Sequence, residues 1–171
     1  MGHVPILGDW PAVPRPGAMI ELRHTVRIEV PPARVWAWFN ELPLHYREWH
    51  PAHVACRVVR GQPLQPGSVL QVEEHLHGRL HKLRLQATEV APEHLMRYRG
   101  PGFRGSFLLE PADGGTRFTA ELALGLRIPL IGRALDAVAR RLMARQLAAL
   151  ENHMREEGEN LKALLERSHA A

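Results

Sequence analysis

From Met19 the chain alternates strictly between apolar and polar positions. Ile20, Leu22, His24, Val26, Ile28 and Val30 share one face, while Glu21, Arg23, Thr25, Arg27 and Glu29 share the other. A period of two predicts a long, half-buried strand. Pro31 and Pro32 stop it, and proline suits a first helical turn, so Ala33 to Asn40 reads as a short helix. A second short helix covers Leu44 to Trp49 and ends before Pro51. Strand patterns then follow at 53–60, 68–77, 79–90, 94–99, 103–110 and 116–126. Asp113-Gly114-Gly115 marks a hairpin between the last two.

The period changes once more near the end. Leu135, Ala139, Leu142, Gln146, Leu150, His153, Glu157, Leu161 and Leu164 recur at spacings of three and four. They predict one face of a long helix from Ile128 to about Arg167, with a break near Pro129 and Gly132. The order is therefore strand, two short helices, six strands and a long helix. An α+β fold follows: a curved antiparallel sheet wrapped around the C-terminal helix, with the two short helices after the first strand.

Composition changes this picture little. The chain has 171 residues, 45% hydrophobic and 23% charged, which suits a single domain of ordinary composition. Residues 1–18 are rich in proline and glycine and read as an irregular leader, leaving one domain over 19–171. The single cysteine, Cys56, excludes a disulfide framework. The net charge of +4 comes mostly from arginines. No basic stretch interleaves with aromatic residues, so nucleic-acid binding is not expected. Neither a secretory start nor a membrane-length apolar run is present, and a cytoplasmic location is expected.

One residue type does stand out. There are eleven histidines, and six of them (His45, His50, His53, His75, His77 and His81) fall between residues 45 and 81. The informative positions are polar groups on faces that should be apolar. His153 and Glu157 interrupt the apolar face of the long helix, one turn apart, where both can ligate one metal ion. Glu74 shares the apolar face of its strand with Leu70, Val72 and Leu76; a shift of one residue would bring in Glu73 instead. A lone carboxylate there costs several kcal/mol (about 3 or more) unless paired with a cation. His50 and His53 flank Pro51, and one can cap the short helix while the other reaches inward. His24 and His81 lie on inward faces and are candidate cavity-lining groups, as is His50.

The element order resembles the START-like, or Bet v 1-like, helix-grip superfamily, also called the polyketide cyclase/dehydrase and lipid-transport family. That resemblance implies a deep cavity between sheet and helix for a small apolar or aromatic molecule. The segments His45-Tyr46-Arg47-Glu48-Trp49-His50-Pro51-Ala52-His53, Val72-Glu73-Glu74-His75-Leu76-His77-Gly78 and His153-Met154-Arg155-Glu156-Glu157 further resemble a metal-dependent branch typified by 2,4-diacetylphloroglucinol hydrolase. By that resemblance His53, Glu74, His153 and Glu157 are metal ligands, for zinc or another divalent ion, with His50 competing with His53. Tyr46 then polarises a substrate carbonyl as a catalytic residue. The leading expectation is a metal-dependent hydrolase acting on an aromatic or polyketide-like ketone. The alternatives are a non-catalytic carrier of an apolar molecule and a metal-free polyketide cyclase or aromatase. Neither the substrate nor the oligomeric state is legible.

Overall fold

The computed structural model describes residues 19–76, 78–125 and 133–168. The expected leader at 1–18 and the expected helix break at Pro129 and Gly132 lie outside the described residues, as does His77. The elements run β1 (Met19–Ile28), α1 (Pro32–Asn40), α2 (Leu42–Trp49), β2 (His53–Arg60), β3 (Val69–Leu76), β4 (Arg79–Ala91), β5 (Leu95–Gly100), β6 (Phe103–Ala112), β7 (Gly115–Gly125) and α3 (Arg133–Arg167). This is the expected order, with ends shifted by one or two residues in most elements.

The seven strands form one antiparallel sheet in the order β1-β7-β6-β5-β4-β3-β2. From β2 onward, each strand pairs with the next in sequence; β1 closes against β7 from Met19↔Gly125 to Ile28↔Thr116. The β6–β7 hairpin turns through Asp113 (φ 44) and Gly114 (φ 83), and two successive positive φ angles match the twist of the flanking strands. Helices α1 and α2 carry the chain from one sheet edge to the other. Proline occupies the first turn of each, where a missing N–H costs nothing. Val30, placed in the first strand by alternation, instead lies just beyond it. Its carbonyl accepts a hydrogen bond from the Thr116 hydroxyl at 2.6 Å.

The sheet, α1 and the C-terminal part of α3 enclose a filled core. Val35 and Phe39, one turn apart on α1, are buried with Leu109, Phe118, Leu161 and Leu165. Phe39 stacks against Phe107 and Phe118 at centroid distances of 5.0 and 5.9 Å. On α2 the buried residues are Leu42, Tyr46 and Trp49, spaced to present one face inward. Beyond Trp49 the interior opens into a cavity of about 290 Å³ between α2, α3 and the concave face of β3 to β7. Among the described residues, no helix is long and apolar enough to cross a membrane.

Candidate functional site

The cavity wall is mainly leucine, methionine and aromatic carbon, from Leu70 on β3 round to Leu122 on β7. One end is different: Tyr46, Glu74, His153 and Glu157 all line it. Glu74 lies on the concave face with Leu70, Val72 and Leu76, whereas Glu73 pairs with Lys82 at 3.1 Å. Alternation along β3 therefore resolves to the register with Glu74 inside.

His53 is held just behind this wall, and its side chain is 0% exposed. Its Nδ1–H donates to the Tyr46 carbonyl at 3.0 Å, one turn up α2. A carbonyl can only accept, so the neutral ring must carry its proton on Nδ1 and present the Nε2 lone pair to the cluster. That Nε2 lies 3.0 Å from Glu157 Oε1 and 3.8 Å from Glu74 Oε2. His153 Nε2 lies 3.6 Å from Glu157 Oε1 and 3.9 Å from Glu74 Oε2. The four residues that the resemblance pointed to thus converge from β2, β3 and α3. Tyr46 stands over them: its ring stacks flat on His53 at 4.0 Å, and its hydroxyl donates to Glu74 Oε2 at 3.2 Å. The Trp49 indole N–H donates to the Glu157 carbonyl at 2.9 Å, tying α2 to this turn of α3.

Burial dominates the electrostatics. Glu74 and Glu157 are only 12% and 17% exposed, and loss of water disfavours their charged forms. Burial pushes Glu157 up to about 7, against the opposing pull of His153 and His50. Glu74 is raised too, by burial and by the Glu157 charge. Burial pushes His53 down to about 4 and also lowers His153. Burial thus disfavours the charged form of all four groups, and two carboxyls with raised pKa share one small space with two imidazoles whose pKa is lowered.

This donor set fits a divalent metal ion. His53 Nε2 is buried and makes no hydrogen bond in spite of its near carboxylates. Its tautomer is fixed by a hydrogen bond on the other nitrogen, as in most histidine metal ligands. Ligand atoms about 2 Å from one tetrahedral ion lie roughly 3.3 Å apart, and the four histidine–carboxylate separations here run from 3.0 to 3.9 Å. Two imidazoles and two carboxylates suit zinc, iron or manganese.

His50 is nearby but otherwise engaged. A ligand nitrogen from each of His50, His53 and His153 lies within 4.8 Å of the others. However, His50 Nδ1 accepts the Ala52 N–H at 3.0 Å, so its Nε2 carries the proton, which it gives to Glu156 Oε2 at 3.0 Å. A nitrogen that donates has no lone pair for a metal. Of the two histidines flanking Pro51, His50 finishes α2 and His53 faces the cluster.

None of His24, His50 and His81, expected to line the cavity, is part of this cavity wall, and His24 lines a separate pocket with Leu22, Arg23 and Asn152 instead. His24 packs under α3 at Gly158, where a Cβ would come within 2.8 Å of its ring. His81 sits opposite Glu74 in the β3–β4 register. Both side chains lie on the concave side of the sheet, but alternation does not say which part of that side is hollow. Tyr98 was missed altogether. It lines the cavity from β5, and its signal is a tyrosine opposite a glycine, Gly105, which appears only once the strands are paired.

A strongly curved antiparallel sheet closed by one long helix over an interior cavity defines a helix-grip domain. The chain belongs to the family described as polyketide cyclase / dehydrase and lipid transport, whose model matches residues 19–166. Similar solved structures share the fold. The Zhui aromatase/cyclase from a Streptomyces species is 13% identical, with a TM-score of 0.60, covering 88% of this chain and 95% of that one. The di-domain ARO/CYC BexL from the BE-7585A biosynthetic pathway is 21% identical, with a TM-score of 0.65, covering 85% of this chain and 49% of that one. Protein TTHA0849 of Thermus thermophilus is 17% identical, with a TM-score of 0.67, covering 87% of this chain and 99% of that one. No curated protein matches the sequence.

Proposed function

We propose that this chain binds a small aromatic or polyketide-like ketone and activates it by proton transfer, as a cyclase- or aromatase-type enzyme. The observation that carries this reading is the single polar end of an otherwise apolar cavity, formed by Tyr46, Glu74, His153 and Glu157. The ligand's hydrocarbon portion lies against leucines and aromatic rings, and only its carbonyl finds partners. Burial and the Glu74 and Glu157 charges push the Tyr46 hydroxyl above the usual phenol range. It therefore stays a donor and can pass its hydrogen bond from Glu74 to the ligand carbonyl. A neutral His153 or an ionised carboxylate beside it takes a proton from the carbon next to that carbonyl. The enolate so formed is stabilised by Tyr46 and attacks a second carbonyl of the same molecule, whose C=O double bond opens to an alkoxide that takes the proton back from the protonated base. The aromatase/cyclase neighbours support this reading over hydrolysis.

The convergence of His53, Glu74, His153 and Glu157 favours a second reading, a metal-dependent hydrolase. These four residues would hold the ion, which supplies a Lewis acid and a bound water of pKa near about 7. In either case Tyr46 orients the carbonyl and the apolar wall excludes bulk water.

The test uses 2-acetylnaphthalene in deuterated buffer, with NMR reporting exchange of the methyl protons. Saturable exchange, slowed by Tyr46→Phe and His153→Ala, is expected. Binding without exchange overturns catalysis and leaves a carrier. Metal analysis of the purified protein and of Glu157→Ala decides the second reading. An ion at one equivalent that is lost in the variant, together with chelator-sensitive activity, supports it; a metal-free, fully active protein overturns it.

A further inference from the structure

We infer that the Tyr98 hydroxyl reads a second oxygen on the ligand, so that the cavity selects ketones carrying a further hydroxyl or carbonyl group. This inference rests on the ligand-binding reading above and specifies its substrate class.

Tyr98 lies on β5 directly opposite Gly105 of β6. A Cβ built on Gly105 would stand 2.5 Å from both Cζ and the hydroxyl oxygen of Tyr98, and 2.8 Å from Cε2. The ring therefore lies across its cross-strand partner, in space that only glycine leaves free. Phe107 and Phe103 flank it at centroid distances of 5.4 and 6.5 Å. This fixes the phenol in the cavity wall, yet its hydroxyl makes no hydrogen bond with any described residue. Phenylalanine would fill the same place in this apolar wall equally well, so packing alone does not call for the hydroxyl, which faces the cavity. The hydroxyl is accounted for if a bound molecule satisfies it.

Its position separates it from the catalytic cluster. Tyr98 stands level with Ala87 of β4, whereas Glu74 stands level with His81, six positions along the same strand. With its backbone anchored that far from Glu74, Tyr98 enters the cavity from a different stretch of wall than Tyr46, and the oxygen assigned to it is a second one. Burial, reinforced by the Glu157 and Glu74 charges, raises the Tyr98 hydroxyl above its ordinary range and keeps it a donor. A ligand oxygenated at two separated places, as folded polyketides and hydroxylated aryl ketones are, meets both tyrosines together.

The experiment compares 2-acetylnaphthalene with its ring-hydroxylated isomers on the full chain, for the wild type and Tyr98→Phe, by titration calorimetry. At least one hydroxylated isomer is expected to bind the wild type about tenfold more tightly than the parent ketone. Tyr98→Phe should erase that preference, bringing the hydroxylated isomers to the affinity of the parent ketone, with the melting temperature unchanged or raised. If every isomer binds like the parent, or if the preference survives in Tyr98→Phe because water alone occupies the hydroxyl, the inference is overturned and the ligand-binding reading stands. If no ketone binds the wild type, the ligand-binding reading itself falls and takes the inference with it.

Discussion

The two halves of the interior are built from the same sheet and spanned by the same helix, yet one is full and the other hollow. Under α1, Phe118, Val35 and Leu161 are each at most 1% exposed, and rings stack on one another. Past Trp49, leucines of β3, β4 and β7 face open space of about 290 Å³. Apolar side chains dominate both halves, so hydrophobicity alone does not say which one is full. What differs is the presence of bulky partners from α1 in one half and of polar groups from α2, β3 and α3 in the other. The filled half holds the fold together; the hollow half gives up packing energy for room, and its polar groups sit where the two meet.

The largest effect expected from breaking this division is in the filled half. Phe118→Ala removes the ring on which Phe39 and Phe107 rest and should cost about 3–5 kcal/mol in urea unfolding. A loss below about 1 kcal/mol would mean that the core under α1 is not packed as described.

At the boundary the expected effect is smaller and depends on pH. Between pH 4.5 and about 7 the folded chain keeps a proton on Glu157 that the unfolded chain has lost, so stability falls as pH rises through that window. His53 acts in the opposite sense. Its unfolded imidazole charges at 6.5 and its folded one only near about 4, so stability falls as pH drops between them. The two slopes offset each other over their shared range. In chelator-treated protein, Glu157→Gln should therefore gain stability on the order of 1–3 kcal/mol at about pH 8. Below pH 6.5 it should lose stability towards acid more steeply than the wild type. Parallel pH profiles for the two proteins would contradict this.

Gly158→Ala tests how closely α3 rides on β1. Alanine normally stabilises a helix interior over glycine by about 1 kcal/mol. Here the added Cβ would meet His24 at 2.8 Å and Val26 at 3.4 Å, so a net loss of about 1–2 kcal/mol is expected in thermal unfolding. The smallest effect belongs to the hollow half. Leu83 faces the cavity and lies partly bare, so Leu83→Ala should cost no more than about 1 kcal/mol while weakening the binding of aromatic ketones.

Most of the fold is visible in the sequence because period and punctuation agree. The β1 alternation, the paired prolines before α1 and the Asp113-Gly114 turn each mark one element. The long helix is harder to phase: Met154 and Leu165 are buried, whereas the three-and-four spacing points to Leu164. Over many turns, small phase errors move a residue to the flank. The cluster was legible for a different reason. Glu74, His153 and Glu157 are polar residues on apolar faces, a contradiction that one dimension records. The tautomer that separates His53 from His50 depends on the Tyr46 carbonyl and the Ala52 amide, and the role of Tyr98 depends on Gly105 across a strand pair. Neither can be seen before the chain is folded.

The bond from the Trp49 indole to the Glu157 carbonyl has a mechanical consequence. It clasps α3 to α2 at the same turn that supplies Glu157, while His53 is braced on α2 from behind. Any occupant gripped by His53, Glu74, His153 and Glu157 joins two strands to the last helix, so its binding energy also becomes docking energy for that helix. An occupant of that site would therefore also hold α3 against β2 and β3, the helix's own seating on the sheet being reinforced from within the cavity.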